Sequence, residues 1–167
     1  MIQDLQTPET TVSYEPNIGK WVNQSIALAT KETIESLSIE FYMEGVSKEI
    51  ESAFTRDSAL LRTTGPVHYA GADQDLYKFE VLVLLTDLKS TNQSGWDIHS
   101  RAGAIAQLLS TDIPVYRHGD TDPATLVGCL QRDRDSREFV RIVNYGIIEK
   151  DIEVKQMGVL AKYEICI

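Results

Sequence analysis

The chain has 167 residues, 43% hydrophobic and 25% charged, enough for one domain that buries roughly two thirds of the surface its unfolded chain exposes. Its longest apolar run, Val81 to Leu85, is far too short to span a membrane, and Met1 to Pro16 lacks a secretory signal pattern, so an intracellular, non-membrane product is expected. The net charge of −9 repels phosphate backbones and argues against tight nucleic-acid binding, besides keeping the protein soluble.

The charge is unevenly placed. Residues 1–51 carry nine acids and three bases, a net of −6, and the other 116 residues carry −3. Residues 1–16 hold Asp4, Glu9 and Glu15 with no Lys or Arg and no helical stripe. They read as an extended acidic arm, either disordered or, in an oligomer, lying across a neighbouring subunit. Residues 17–167 read as a single α+β domain.

From Asn17 to about Ile34, Ile18, Trp21, Val22, Ile26 and Ala29 recur at helical spacing and predict an amphipathic helix. Next, Leu37, Ile39, Phe41 and Met43 alternate as in a strand, whereas Val46, Ile50 and Phe54 repeat every four. One broken helix and a helix, strand, helix series both fit, with Gly45 as the break. Ser58–Thr64 and Pro66–Ala70 flank an expected Gly65-Pro66 turn, and residues 71–75 form a polar loop. Leu76–Leu88 is the predicted central strand, apolar on one face and partly apolar, through Leu82 and Leu84, on the other.

A helix to cover that strand is predicted from Trp96 to Ser110, with Ile98, Ala102, Ile105 and Leu109 as its stripe and Ser94 with Asp97 resembling a capping box. Pro114 stops it, and Val115–Arg117 is a short strand. Leu126–Gln131 and Glu138–Asn144 read as a hairpin whose tip carries Arg132, Asp133, Arg134, Asp135 and Arg137, three positive and two negative charges. Arginines in such a tip suit bidentate pairing with a partner's carboxylates, so these five residues are the candidate protein interface; a self-paired surface turn is the alternative. Ile152–Met157 and Val159–Ile167 complete the strands. In the second, Val159, Ala161, Tyr163, Ile165 and Ile167 share one apolar face. Cys129 and Cys166 read as reduced core residues.

Catalytic chemistry finds little support. His118, Asp120 and Asp122 form the best local metal-ligand cluster, but no HExxH or paired CxxC spacing accompanies them. His68 and His99 are isolated, no nucleophile elbow is present, and the glycines form no phosphate cradle. No catalytic residue, cofactor or metal is assigned, and the protein is read as a non-enzyme.

This order of elements resembles the tail terminator proteins of tailed bacteriophages. The resemblance spans roughly residues 55–167 and rests on four features: the strand Tyr77–Asp87, the helix Trp96–Leu109 leading to Ile113-Pro114-Val115, the charged hairpin, and the closing Tyr163-Glu164-Ile165. That family is defined by topology and has no diagnostic motif, so no functional residue is carried over. The long acidic N-terminal section departs from its compact pattern. The resemblance implies an antiparallel or mixed sheet with a crossing helix, an N-terminal helical region and a C-terminal strand set. It further implies a structural virion protein, assembled in the host cytoplasm, whose homohexameric ring caps the tail tube, stops its polymerisation and meets a neck or head-completion protein. DNA would pass through the acidic bore without specific binding. Another neck or head-completion ring protein, a small cytosolic ligand-binding or regulatory module, and a hydrolase using His118 or Asp120 are the other readings.

Overall fold

The computed structural model describes residues 14–47, 56–88, 96–117, 124–149 and 154–167. Helix α1 (Ile18–Ser36) buries Ile18, Trp21, Val22 and Ile26 of the predicted stripe together with Ile34, while the predicted Ala29 is half-buried against the core. It ends where Ser38 takes the left-handed conformation (φ 59°) and its N–H bonds the Glu35 carbonyl at 3.1 Å. The following alternation is strand β1 (Glu40–Met43). Ile50 and Phe54 lie outside the described residues.

Strands β2 (Ser58–Tyr69) and β3 (Leu76–Leu88) form a long antiparallel pair. The expected turn at Gly65-Pro66 is instead an irregularity inside one strand: the register shifts between Thr64 and Val67 and then resumes. Gly65 is required there, because its φ is +116° and a Cβ would lie 2.7 Å from the Lys78 carbonyl oxygen.

Helix α2 (Asp97–Leu109) follows, then β4 (Ile113–Arg117), β5 (Thr125–Arg132), β6 (Val140–Glu149) and β7 (Val154–Cys166). The α2 N-cap is Trp96, which makes no side-chain capping bond; Asp97 is the first helical residue, not the reciprocal member of a capping box, and Ser94 lies outside the described residues. Pro114 stands within β4 instead of before the strand. The two predicted closing strands are one strand, β7, because Gly158 continues the ladder opposite Leu84 and Val143. Glycine there makes room for neighbours: a Cβ would meet the Tyr145 ring at 3.0 Å and Leu82 at 3.2 Å.

The described strands form a seven-stranded mixed sheet in the order β1-β2-β3-β7-β5-β4, with β6 also on β7. Among the described strands only β1–β2 is a parallel pair. The α+β class is thus as read from the sequence. Val159, Ala161, Tyr163 and Ile165 of β7 and Phe79, Val81, Val83 and Leu85 of β3 make the core with the stripes of α1 and α2. Each of these larger side chains contributes about 1.5–3 kcal/mol by burial. The Tyr163 hydroxyl donates to the Leu109 carbonyl at 2.5 Å, joining the middle of the sheet to the end of α2. Arg101 of α2 reaches Asp57 (3.7 Å) and Asp87 (3.9 Å) at the start of β2 and the end of β3.

The cysteine expectation is corrected: Cys129 and Cys166 are free and exposed, because each stands on the outward side of its strand, out of phase with Leu130 and Ile165. Among the described residues no helix is long and apolar enough to cross a membrane.

Candidate protein interface

The predicted charged hairpin is not a hairpin. Strands β5 and β6 do not pair with each other; both run antiparallel to β7 on the same edge, one after the other. Arg132 pairs with Tyr163, the Asp133 N–H donates to the Lys162 carbonyl (3.1 Å), the Lys162 N–H donates to the Phe139 carbonyl (3.2 Å), and Val140 pairs with Ala161. Residues 133–139 therefore leave and rejoin one strand line, opposed on β7 by Lys162 alone. Alternation suits a hairpin and such an excursion equally well, since both place a polar run between two β segments. The true hairpin is formed by β6 and β7.

The charges of the excursion are engaged with the sheet's outer face. Asp133 is 9% exposed and accepts from the Lys78 ammonium at 3.0 Å and from the Asp135 N–H at 2.9 Å. Asp135 is on the same ammonium at 2.7 Å. Its carboxylate, then that of Asp133, hold Lys78 protonated above its ordinary range. Burial pushes the Asp133 carboxyl up, but the bonds from Lys78 and from the Asp135 N–H outweigh it, and the net displacement is downward. Arg134 donates through Nε to Glu164 at 2.8 Å, the Arg132 guanidinium lies 5.7 Å from the Phe139 ring centre, and Arg137 is exposed.

Of the five sequence-derived interface residues, Asp133, Arg134 and Asp135 are thus paired within the chain, Arg132 rests on an aromatic ring and Arg137 faces solvent. Their partners Lys78 and Glu164 were not among the candidates. The available signal was their outward phase in β3 and β7, where a charged side chain between apolar neighbours needs a counter-charge. The result is a charged excursion held to the sheet by its pairs with Lys78 and Glu164.

A second cluster joins distant parts of the chain. His68 Nε2 lies 3.4 Å from Asp75 Oδ2, its ring stacks on Tyr77 at 4.8 Å, and Tyr14 meets both rings edge-on. The Tyr77 hydroxyl accepts from the Glu15 N–H at 2.8 Å, and Asp75 and Ile167 exchange backbone hydrogen bonds of 2.8 and 3.0 Å. Here the arm's last residues, the β2–β3 end and the β7 end are tied together. His99 lies beside Trp96, 5.7 Å between ring centres. His118, Asp120 and Asp122 lie outside the described residues. Among the described residues no three His, Cys, Asp or Glu side chains gather as metal ligands.

The remaining feature is the edges of the sheet. In β4 the Tyr116 N–H is bonded by Ser25 of α1 (3.1 Å), and Pro114 has no N–H. In β1 the Met43 N–H donates to Ser47 Oγ (2.7 Å), while its carbonyl accepts from the Val46 and Ser47 N–H groups. Both edges are blunted by their own chain. Strand β6 pairs with β7 on one side and with no strand on the other among the described residues.

The chain matches no protein-family model and no curated protein.

Proposed function

We propose that the protein is a structural virion component of the tail terminator type, a subunit that closes into a ring on the end of a tail tube, halts tube growth and presents a docking surface to the neck. The observation that carries this reading is the unequal treatment of the sheet's edges. A closed ring needs a heterologous interface, in which one surface of a subunit meets a different surface of the next. Strand β6 (Val140–Glu149), paired on one side only among the described residues, is a receptive surface. The blunted β1 and β4 edges prevent open-ended growth by sheet edges.

Two further features support it. The excursion 133–139 is fixed by Lys78 and Glu164 instead of swinging freely, which suits a contact that must set an angle between subunits. The net charge of −9 suits a bore through which DNA slides without adhering. In this reading the copies form a hexamer, the tube protein and a neck or head-completion protein are the partners, and the work is geometric with no cofactor.

The test is to incubate the protein with tail tubes assembled in its absence and to image tube length and ends by electron microscopy. Tubes of fixed length with a ring of density at one end are expected. Tubes that keep growing, with no density at their ends, would overturn the proposal.

A further inference from the structure

Among the described residues the outer edge of β6 carries no strand, which leaves room for an occupant. From Val140 to Tyr145 the strand reads Val, Arg, Ile, Val, Asn, Tyr, a β-favouring run, yet Ile142 is 44% and Tyr145 50% exposed. A half-exposed apolar edge of this kind invites another strand, and proteins that leave it bare risk uncontrolled pairing. The register shifts after Asn144 and after Ile147, so the regular receptive stretch is centred on residues 140–144.

The occupant cannot be β1 or β4 of another copy, since the Met43 and Tyr116 backbone groups are already bonded within their own chain. This leaves a second β6 or an extended segment from outside the sheet. Charge narrows the choice. Arg141 is the lone charged residue between Val140 and Ile148, with Arg137 and Lys162 against Glu138 near its start. Residues 1–13 carry Asp4 and Glu9 with no Lys or Arg, and bring Ile2, Leu5 and Val12 as apolar contacts. Reach agrees: thirteen extended residues span about 43 Å, whereas covering Val140–Gly146 takes about 23 Å, which leaves about 20 Å to cross between subunits. The starting point is fixed, because Tyr14 and Glu15 are held on Tyr77.

We propose that β6 is a strand-acceptor site and that residues 1–13 of a neighbouring copy are its occupant, adding a strand beside Val140–Gly146 with acidic side chains toward Arg141. This rests on the ring reading, and it gives that ring its two unlike surfaces: each subunit donates an arm and receives one.

The experiment replaces Ile142 by the photo-crosslinking residue benzoylphenylalanine in the full chain. Equal amounts of ¹⁴N- and ¹⁵N-labelled protein are mixed, irradiated free and in the presence of tail tubes, and the crosslinked peptides are read by mass spectrometry. Crosslinks from position 142 to residues 1–13, with mixed isotope pairs, are expected in at least one condition. Adding Arg141→Glu should lower their yield about tenfold, because repulsion replaces attraction across the strand pair, while Arg141→Lys should retain them. Crosslinks confined to one isotope show an arm docked on its own subunit and overturn the exchange between copies. Crosslinks between two β6 strands, or none to residues 1–13 in either condition, overturn the arm as occupant. Tube imaging of the same samples separates the two proposals. Capped tubes without arm crosslinks leave the ring and remove the arm; mixed-isotope arm crosslinks with uncapped tubes do the reverse.

Discussion

Lys78 of β3 and Asp133 at the start of the excursion meet at 3.0 Å across β7, the strand that lies between their own. The contact spans two ladder spacings and ties the central strand to the far edge of β7. Replacing Lys78 by Met removes the charge while keeping the stem, and leaves Asp133 without its ammonium. The loss expected in chemical denaturation is roughly 1–2 kcal/mol, the discounted worth of a charged hydrogen bond open to solvent on one side. Lys78→Met with Asp133→Asn should cost less than the sum of the single changes, a coupling that a double-mutant cycle measures.

Acid should expose the same pair. The folded Asp133 carboxyl lies below its ordinary value of 3.8, so its contribution is complete above about pH 4 and is lost as the pH falls through the lower folded value. Thermal melts below pH 4 should fall less steeply for Asp133→Asn than for the wild type. Equal slopes would show that Asp133 titrates alike folded and unfolded.

Tyr163 gives a second stability test. It is fully buried and its hydroxyl donates to the Leu109 carbonyl. Tyr163→Phe keeps the ring contact with Phe139 and strands that carbonyl at the end of α2, which should lower stability by about 1–2 kcal/mol. Burial, with a smaller push from Asp112, raises the Tyr163 phenol, so its ionisation in an ultraviolet titration should come later than that of free tyrosine.

Gly65→Ala combines a left-handed φ with a Cβ 2.7 Å from the Lys78 carbonyl oxygen, and a loss of about 2 kcal/mol or more is expected from denaturation curves. Gly103→Ala is its control: open space surrounds that position on α2, so helix propensity alone acts and stability should rise by about 0.5–1 kcal/mol.

Both cysteines are exposed and free, so a thiol reagent should modify Cys129 and Cys166 in the native protein without denaturant. Protection of either until unfolding would contradict this placement.

Periodicity was a sufficient guide where one face of an element is buried. The α1 stripe from Ile18 to Ile26, the α2 stripe from Ile98 to Leu109 and the β7 series from Val159 to Ile165 all lie in the core as read. It failed at punctuation. Gly65-Pro66 and Gly158 look like breaks, but long-range pairing to β3 and to β6 carries both strands through them. It failed again over the charged run, since whether two β segments pair with each other or both with a third depends on partners far along the chain. The same limit hid Lys78 and Glu164, 55 and 30 residues from their counter-charges on Asp133 and Arg134. The cysteines were misplaced because residue type, not strand phase, set the expectation.

The excursion between Arg132 and Val140 has a consequence for how this protein can change. Because β5 and β6 lie on one line and the departure is opposed by Lys162 alone, residues can be added or removed near Ser136 without shifting a single rung of the β7 ladder. Fold and surface are thus separable here: the outer face can be rewritten in length and charge, by drift or by grafting a foreign epitope, while the sheet that bears it keeps its register.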